Sequence, residues 1–195
     1  MAGSLSGSRW AALVLLGVFA IVETVALARA GRRGRRQELA SMLAIGGCSI
    51  IWIASLAEGL FFRGQLPELT GWPGAALFAL GVGLRAVSFA RLGRFYNPAV
   101  TLHDDHALIT SGIYRHARHP LYAGSLCLFL GFPLAFSSAA GLALFFLLAV
   151  PVFAWRIRVE ERALATHFGA AWEAYTQRTP AVFFRYPRKD KGVIP

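Results

Sequence analysis

Leu121 to Trp155 is a run of thirty-five residues without a single Asp, Glu, Lys or Arg. As one helix rising about 1.5 Å per residue it would reach ~52 Å, against a bilayer hydrocarbon core of about 30 Å. Such a run is too long for one crossing and too apolar for a water-facing surface, so it has to fold back on itself. Pro133 and the Ser137–Ser138 pair supply the break. The pattern predicts two short spans, 120–136 and 139–156, joined by a tight external turn.

Three further apolar runs precede this hairpin. Trp10 to Ala28 is long enough to cross, with Glu23 near its inner end. It is read as a retained helix rather than a signal peptide, because Arg9 is the only charge before it and the run exceeds a signal's apolar core. Leu39 to Phe62 is the second span, with Glu58 near its far end, and Trp72 to about Ala90 is the third. Acids are costly inside a membrane, so Glu23 and Glu58 are expected at head-group level or at a helix–helix seam. Arg85, inside the third span, has three options: to snorkel, to pair with Glu23, or to face a polar cavity. Ala79 and Gly83 are spaced small-x-x-x-small and predict a close helix approach there.

The basic residues orient these spans. Arg29, Arg32, Arg33, Arg35 and Arg36 share one loop, Arg91, Arg94, Arg115 and Arg118 mark the long connection before the hairpin, and eight more lie from Arg156 onward. Seventeen of the twenty basic residues thus fall on one side, with Arg9 and Arg63 opposite and Arg85 within the membrane. That distribution predicts an all-α integral membrane protein of five transmembrane helices, N-terminus outside and C-terminus in the cytoplasm. A composition 56% hydrophobic agrees with this. The net charge of +10 therefore faces lipid head groups, and no nucleic-acid partner is inferred. Cys48 and Cys127 both lie in apolar runs, as packing residues do.

Two cytoplasmic segments flank the hairpin. Leu108 to Gly124 gathers Tyr114, Arg115, His116, Arg118, His119 and Tyr122 within seventeen residues, punctuated by Gly112 and Pro120. Pro120 belongs in the first turn of the following helix, and His119 before it is pushed towards extended backbone. On the other flank, Val159 to Tyr175 predicts a separate cytoplasmic helix, with Glu160, Leu164, Phe168 and Trp172 on one stripe and Glu161 beside them. The tail Phe183 to Arg188 mixes aromatic and basic residues, which suits a membrane surface. Because both segments flank one hairpin, folding must set His119–Tyr122 beside Arg158–Glu161. A His/Arg/Tyr loop facing two carboxylates over an apolar floor suits a charged cofactor and a lipid-like substrate.

Competing readings of the loop stand beside this one. His103, His106, His116 and His119 with Asp104 and Asp105 invite a metal, but no recognised zinc spacing is present and no metal site is assigned. A solvated, arginine-rich connector would account for Arg91, Arg94 and Arg115, but not for the density of Tyr and His.

Leu92-Gly-Arg-Phe-Tyr96, His106-x-Leu-Ile-Thr-Ser-Gly-Ile-Tyr114, Arg118-His-Pro-Leu-Tyr-Ala-Gly124 and Arg158-Val-Glu-Glu-x-x-Leu164 with Phe168-Gly169 resemble the isoprenylcysteine carboxyl methyltransferases. These belong to a wider group that includes the membrane phospholipid N-methyltransferases. The likeness covers about residues 90–178. It implies a division into three N-terminal helices, 1–90, and a catalytic part, 91–195, that uses S-adenosylmethionine. His106, Leu108, Gly112, Tyr114, Arg118, His119, Pro120 and Tyr122 would line the cofactor, with Glu160 and Glu161 at its amino group or the substrate side. Arg158 and Arg162 are candidates to hold an acceptor carboxylate. The implied substrate is a lipid-like or prenylated small molecule. Phospholipid N-methylation and small-thiol S-methylation remain open on the same scaffold, and a His-rich membrane metal-handling protein is the non-enzyme alternative.

Overall fold

Each apolar run is helical over most of its described length in the computed structural model, which describes residues 5–29, 45–62, 66–93, 96 and 107–182. Most of the first arginine loop, the start of the second span at Leu39, the His103–His106 segment and the tail from Phe183 lie outside the described residues. Helix α1 is Gly7–Arg29 and α2 is Ile50–Phe61, entered through an irregular turn from Ile45. A single 3₁₀ turn, Glu68–Thr70, leads into α3, Gly71–Leu92. A second, Gly112–Arg115, precedes α4, Pro120–Ala135. Helix α5 is Ala139–Phe168 and α6 is Ala170–Arg178. No strand occurs among the described residues. Gly7–Ala28, Glu68–Leu92 and Ala139–Phe168 are long and apolar enough to cross a membrane, while Ile45–Phe61 and Pro120–Ala135 are shorter apolar helices.

The hairpin turns where the breakers stand. Pro133 lies two residues before the end of α4, Ser137 adopts a φ of 53°, and Ser138 caps α5 by accepting from the Gly141 amide. Glu58 completes the cap from α2: its Oε2 accepts from the Ser138 hydroxyl at 2.7 Å and from the Ala140 amide at 2.9 Å. A carboxylate at a helix N-terminus answers both the orphan N–H groups and the dipole. Glu58 therefore lies at a helix–helix seam.

One sequence expectation fails here. The separate helix over Val159–Tyr175 does not exist, because α5 runs unbroken from Ala139 to Phe168. Nothing between Arg156 and Phe168 can stop a helix, and Gly169, at a φ of 50°, is what ends it. Pro151 would ordinarily clash with the Leu147 carbonyl, and a π-helical turn over Phe145–Ala149 widens the helix just before it.

The core is organised on α3 against α4. Gly74 and Gly81 of α3 meet Gly124 and Gly131 of α4, each pair seven residues apart and so on one helix face. A Cβ on Gly131 would stand 2.5 Å from the Phe78 amide nitrogen, and one on Gly81 would stand 2.7 Å from the Gly124 carbonyl. The backbones are in contact. Ala79 and Gly83, expected to form this seam, are both exposed, and Gly83 has nothing near its missing Cβ. Gly83 is two residues from Gly81, roughly 200° round the helix, which turns it away. Ala12, Phe78, Leu128, Phe132 and Phe136 pack on one side of the seam, and Ile51, Phe129, Phe145 and Phe153 on the other. Trp52 stacks on Phe129 at 4.8 Å and joins the two.

At one end of the bundle gather the starts of α1, α3 and α5 with the ends of α2 and α4; Arg9 donates to the Gly59 carbonyl there at 3.0 Å. The start of α4 and the end of α5 therefore share the opposite end.

Candidate functional site

Pro120 occupies the first turn of α4 and His119 is its N-cap residue, at φ −123°. Helix α5, long enough to project past the apolar core, carries Arg156, Glu160 and Glu161 to this same end. The contacts that result are short. Tyr122 donates its hydroxyl to Glu160 Oε2 at 2.5 Å and accepts from Arg156 Nε at 2.9 Å. His119, only 3% exposed, places Nε2 at 3.2 Å from Glu161 Oε1 and Nδ1 at 3.8 Å from Glu160 Oε1. Its ring lies nearly parallel to that of Tyr122, centroids 5.6 Å apart.

Arg118 fastens the outer side. Its Nε and Nη2 donate to Glu161 Oε1 at 3.0 and 2.6 Å, and its Nη1 donates to the carbonyls of Thr179 and Thr176 at 2.6 and 3.3 Å. The guanidinium also lies over the Trp172 ring at 5.8 Å. These bonds hold the Glu161 carboxyl at about 2, with His119 the largest cause and Arg118 acting in the same direction against partial burial. The chain after α6 runs beside the loop, the Arg118 and His119 amides donating to the Pro180 and Ala181 carbonyls at 2.9 and 2.8 Å.

Helix α6 closes the loop from below. Tyr175 donates its hydroxyl to the Tyr114 carbonyl at 2.5 Å, and burial pushes the Tyr175 phenol up to about 12. Tyr114 is itself buried, and burial, with Glu160 nearby, raises its phenol strongly. Gly112 takes a φ of 63°, and a Cβ there would meet the Arg91 guanidinium at 2.5 Å, so a side chain is excluded twice over. Leu108 is half-buried, and the amides of Leu108, Ile109 and Thr110 make no backbone hydrogen bond among the described residues.

The structure thus brings Arg118, His119, Pro120, Tyr122, Glu160 and Glu161 together, with Tyr114 and Gly112 on the adjoining loop. Arg158 and Arg162 are not gathered in. Both are exposed, two residues from Glu160 and so roughly 200° away round α5. His106 lies outside the described residues. Three residues that the sequence did not assign to the site join it: Arg156, Trp172 and Tyr175, all buried. Arg156 was legible in principle, being one helical turn before Glu160 and on its face. Among the described residues no group of three or more His, Cys, Asp or Glu side chains is placed to hold a metal.

The profile of the phospholipid methyltransferase family matches residues 69–171. A probable protein-S-isoprenylcysteine O-methyltransferase of Oryza sativa subsp. indica is 31% identical over 157 residues, covering 74% of this chain and 80% of that one. A cobalt-zinc-cadmium resistance protein of Cupriavidus metallidurans is 39% identical over 110 residues, covering 54% of this chain and 49% of its own length. In fold, the chain matches the eukaryotic intramembrane Ras methyltransferase, an isoprenylcysteine carboxyl methyltransferase, with a TM-score of 0.64 at 19% identity over 89% of this chain and 67% of that one. A helical fold, a sequence profile that runs from α3 to the end of α5 and a relative matched over four-fifths of its length agree, and the chain belongs to the isoprenylcysteine carboxyl methyltransferase family of membrane methyltransferases.

Proposed function

We propose that this methyltransferase moves a methyl group from S-adenosylmethionine to the carboxylate of an isoprenylcysteine-type, lipid-like acceptor, at the cytoplasmic face of a membrane that it crosses five times. The residues at the Tyr122–Glu160 cluster fit the cofactor. Glu160 Oε2 accepts from Tyr122, and its Oε1 lies 3.8 Å from His119 Nδ1, beyond hydrogen-bond range, so this carboxylate would suit the cofactor's ammonium. The amides of Leu108 to Thr110 suit a carboxylate, and Tyr114 and Tyr122 offer aromatic walls. When bound, S-adenosylmethionine supplies an electrophilic methyl group on a sulfonium.

The chain's own work is then positioning. A carboxylate acceptor is already ionised at neutral pH, so no side chain has to take a proton from it. Arg156 and Glu160 hold the Tyr122 hydroxyl between them, which fixes the ring, and the buried aromatic floor excludes water. Arg118 acts as a strut that ties Glu161 to the C-terminal strap, its donors being largely committed. Arg158 and Arg162, on the outward face, serve anionic head groups or the arriving acceptor rather than the reacting atoms.

The observation that carries this reading is the division of labour between the two glutamates. Glu160→Gln should weaken S-adenosylhomocysteine binding in calorimetry several-fold, while Glu161→Gln should mainly lower thermal stability. Wild-type affinity in both variants would remove the pair from the site. The phospholipid methyltransferase profile favours one second reading, amine N-methylation, in which Glu160 would accept the amine's proton. Product chemistry separates the two, because only an ester releases methanol in base.

A further inference from the structure

Arg85 and Glu23 form an ion pair well inside the helices. Arg85 stands seven residues before the end of α3 and Glu23 six before the end of α1, so each is about 10 Å from its helix terminus. Arg85 Nε donates to Glu23 Oε1 at 2.6 Å, Nη2 meets the same oxygen, and Nη1 donates to the Ser125 hydroxyl of α4. Phe19 and Phe89 flank the guanidinium at 5.7 and 5.1 Å. The two side chains are only 12% and 20% exposed. A buried pair of this kind rarely outperforms apolar packing in stability, and charges within a span ordinarily serve function.

Its position relative to the cluster is informative. Ser125 and Tyr122 are three residues apart on α4, and so lie on one face in consecutive turns. Ser125 accepts from the Arg85 guanidinium and Tyr122 from that of Arg156. Tyr96 packs edge-on against Phe89, which flanks the Arg85 guanidinium, at 4.6 Å. Burial pushes its phenol up to about 12, and it feels the charges of Arg85 and Glu23 together with those of Arg156 and Glu160. Two guanidinium groups thus hang from successive turns of one helix. Glu23 engages Arg85 through Oε1, from α1, whose Val18, Ile21, Val25 and Leu27 all face outward.

We propose that Arg85 is the specificity residue for the acceptor's carboxylate, and that Glu23 occupies its guanidinium until the acceptor, arriving between α1 and α3, replaces it. The inference rests on the acceptor reading above. It differs from a purely structural pair in one respect: Glu23 competes with the substrate. A planar guanidinium bonds either carboxylate in the same geometry, so the exchange keeps Arg85 paired and releases the Glu23 carboxylate from it.

The test measures binding of N-acetyl-S-farnesylcysteine and of its carboxamide to the full chain in lipid nanodiscs. Wild type should prefer the acid by roughly tenfold, the scale of a hydrogen bond to a charged group. Glu23→Gln should tighten the acid several-fold and leave the amide unchanged. Glu23→Leu/Arg85→Leu, which removes both charges together, should abolish the preference while S-adenosylhomocysteine binding stays at the wild-type value. A preference that survives the double change, or no tightening in Glu23→Gln, overturns the inference and leaves the proposed function standing. Failure of wild type to bind either compound overturns both.

Discussion

The Tyr175 hydroxyl donates to the Tyr114 carbonyl at 2.5 Å, which ties α6 to the loop that precedes α4. Both residues are buried, so the bond has no water to replace it. Tyr175→Phe keeps the ring and leaves that carbonyl unsatisfied, a cost of about 1–3 kcal/mol. The variant should exchange the amides of residues 112–117 faster and bind S-adenosylhomocysteine more weakly. Unchanged exchange in that segment would show that α6 does not hold the loop.

Gly131 meets Phe78 backbone to backbone in the α3–α4 seam, where an added Cβ would stand 2.5 Å from the Phe78 amide nitrogen. Gly131→Ala has to push two backbones apart, and overpacking of this kind costs about 1–3 kcal/mol. Gly83→Ala, with nothing near the added methyl, should be neutral or stabilise by up to about 1 kcal/mol through helix propensity. Thermal melts of the two variants in detergent decide it, and equal effects would refute the assigned seam.

Glu161 confers a pH dependence of definite sign. Its carboxyl is held at about 2 in the folded chain against an ordinary 4.5. A depressed carboxyl stabilises the fold above its unfolded value, and that contribution is lost as pH falls through the folded one. The melting difference between wild type and Glu161→Gln should therefore be constant above pH 4.5 and close as pH approaches 2. A difference that persists unchanged at pH 2 would mean that Arg118 and His119 do not hold the carboxylate.

The five-span reading has its own test. Cysteines introduced at position 34 and at position 68 lie in successive loops, on opposite sides of the membrane in that arrangement. An impermeant thiol reagent applied from outside should label position 68 and spare position 34. Equal labelling would end it.

What the sequence determined by itself follows from local rules. Partition between water and lipid sets the apolar runs, and backbone sterics place the break at Pro133 and Ser137–Ser138 and the helix start at Pro120. Connectivity then brings His119–Tyr122 beside Glu160–Glu161, because both flank one hairpin. Tertiary structure decided the rest. The glycines of the seam are Gly74, Gly81, Gly124 and Gly131 rather than Gly83 with Ala79, since a helix's rotation about its axis is set by whole-face packing. Arg118 is spent on Glu161 and on the carbonyls of Thr176 in the last turn of α6 and Thr179 just after it, partners more than forty residues away that no local pattern announces. Arg156 turns inward while Arg158 and Arg162 turn out, because α5 continues past the apolar run without a break and keeps one register from Phe153 to Glu160. Arg85 had three outcomes open in the sequence, and only the approach of α1 to α3 selected Glu23.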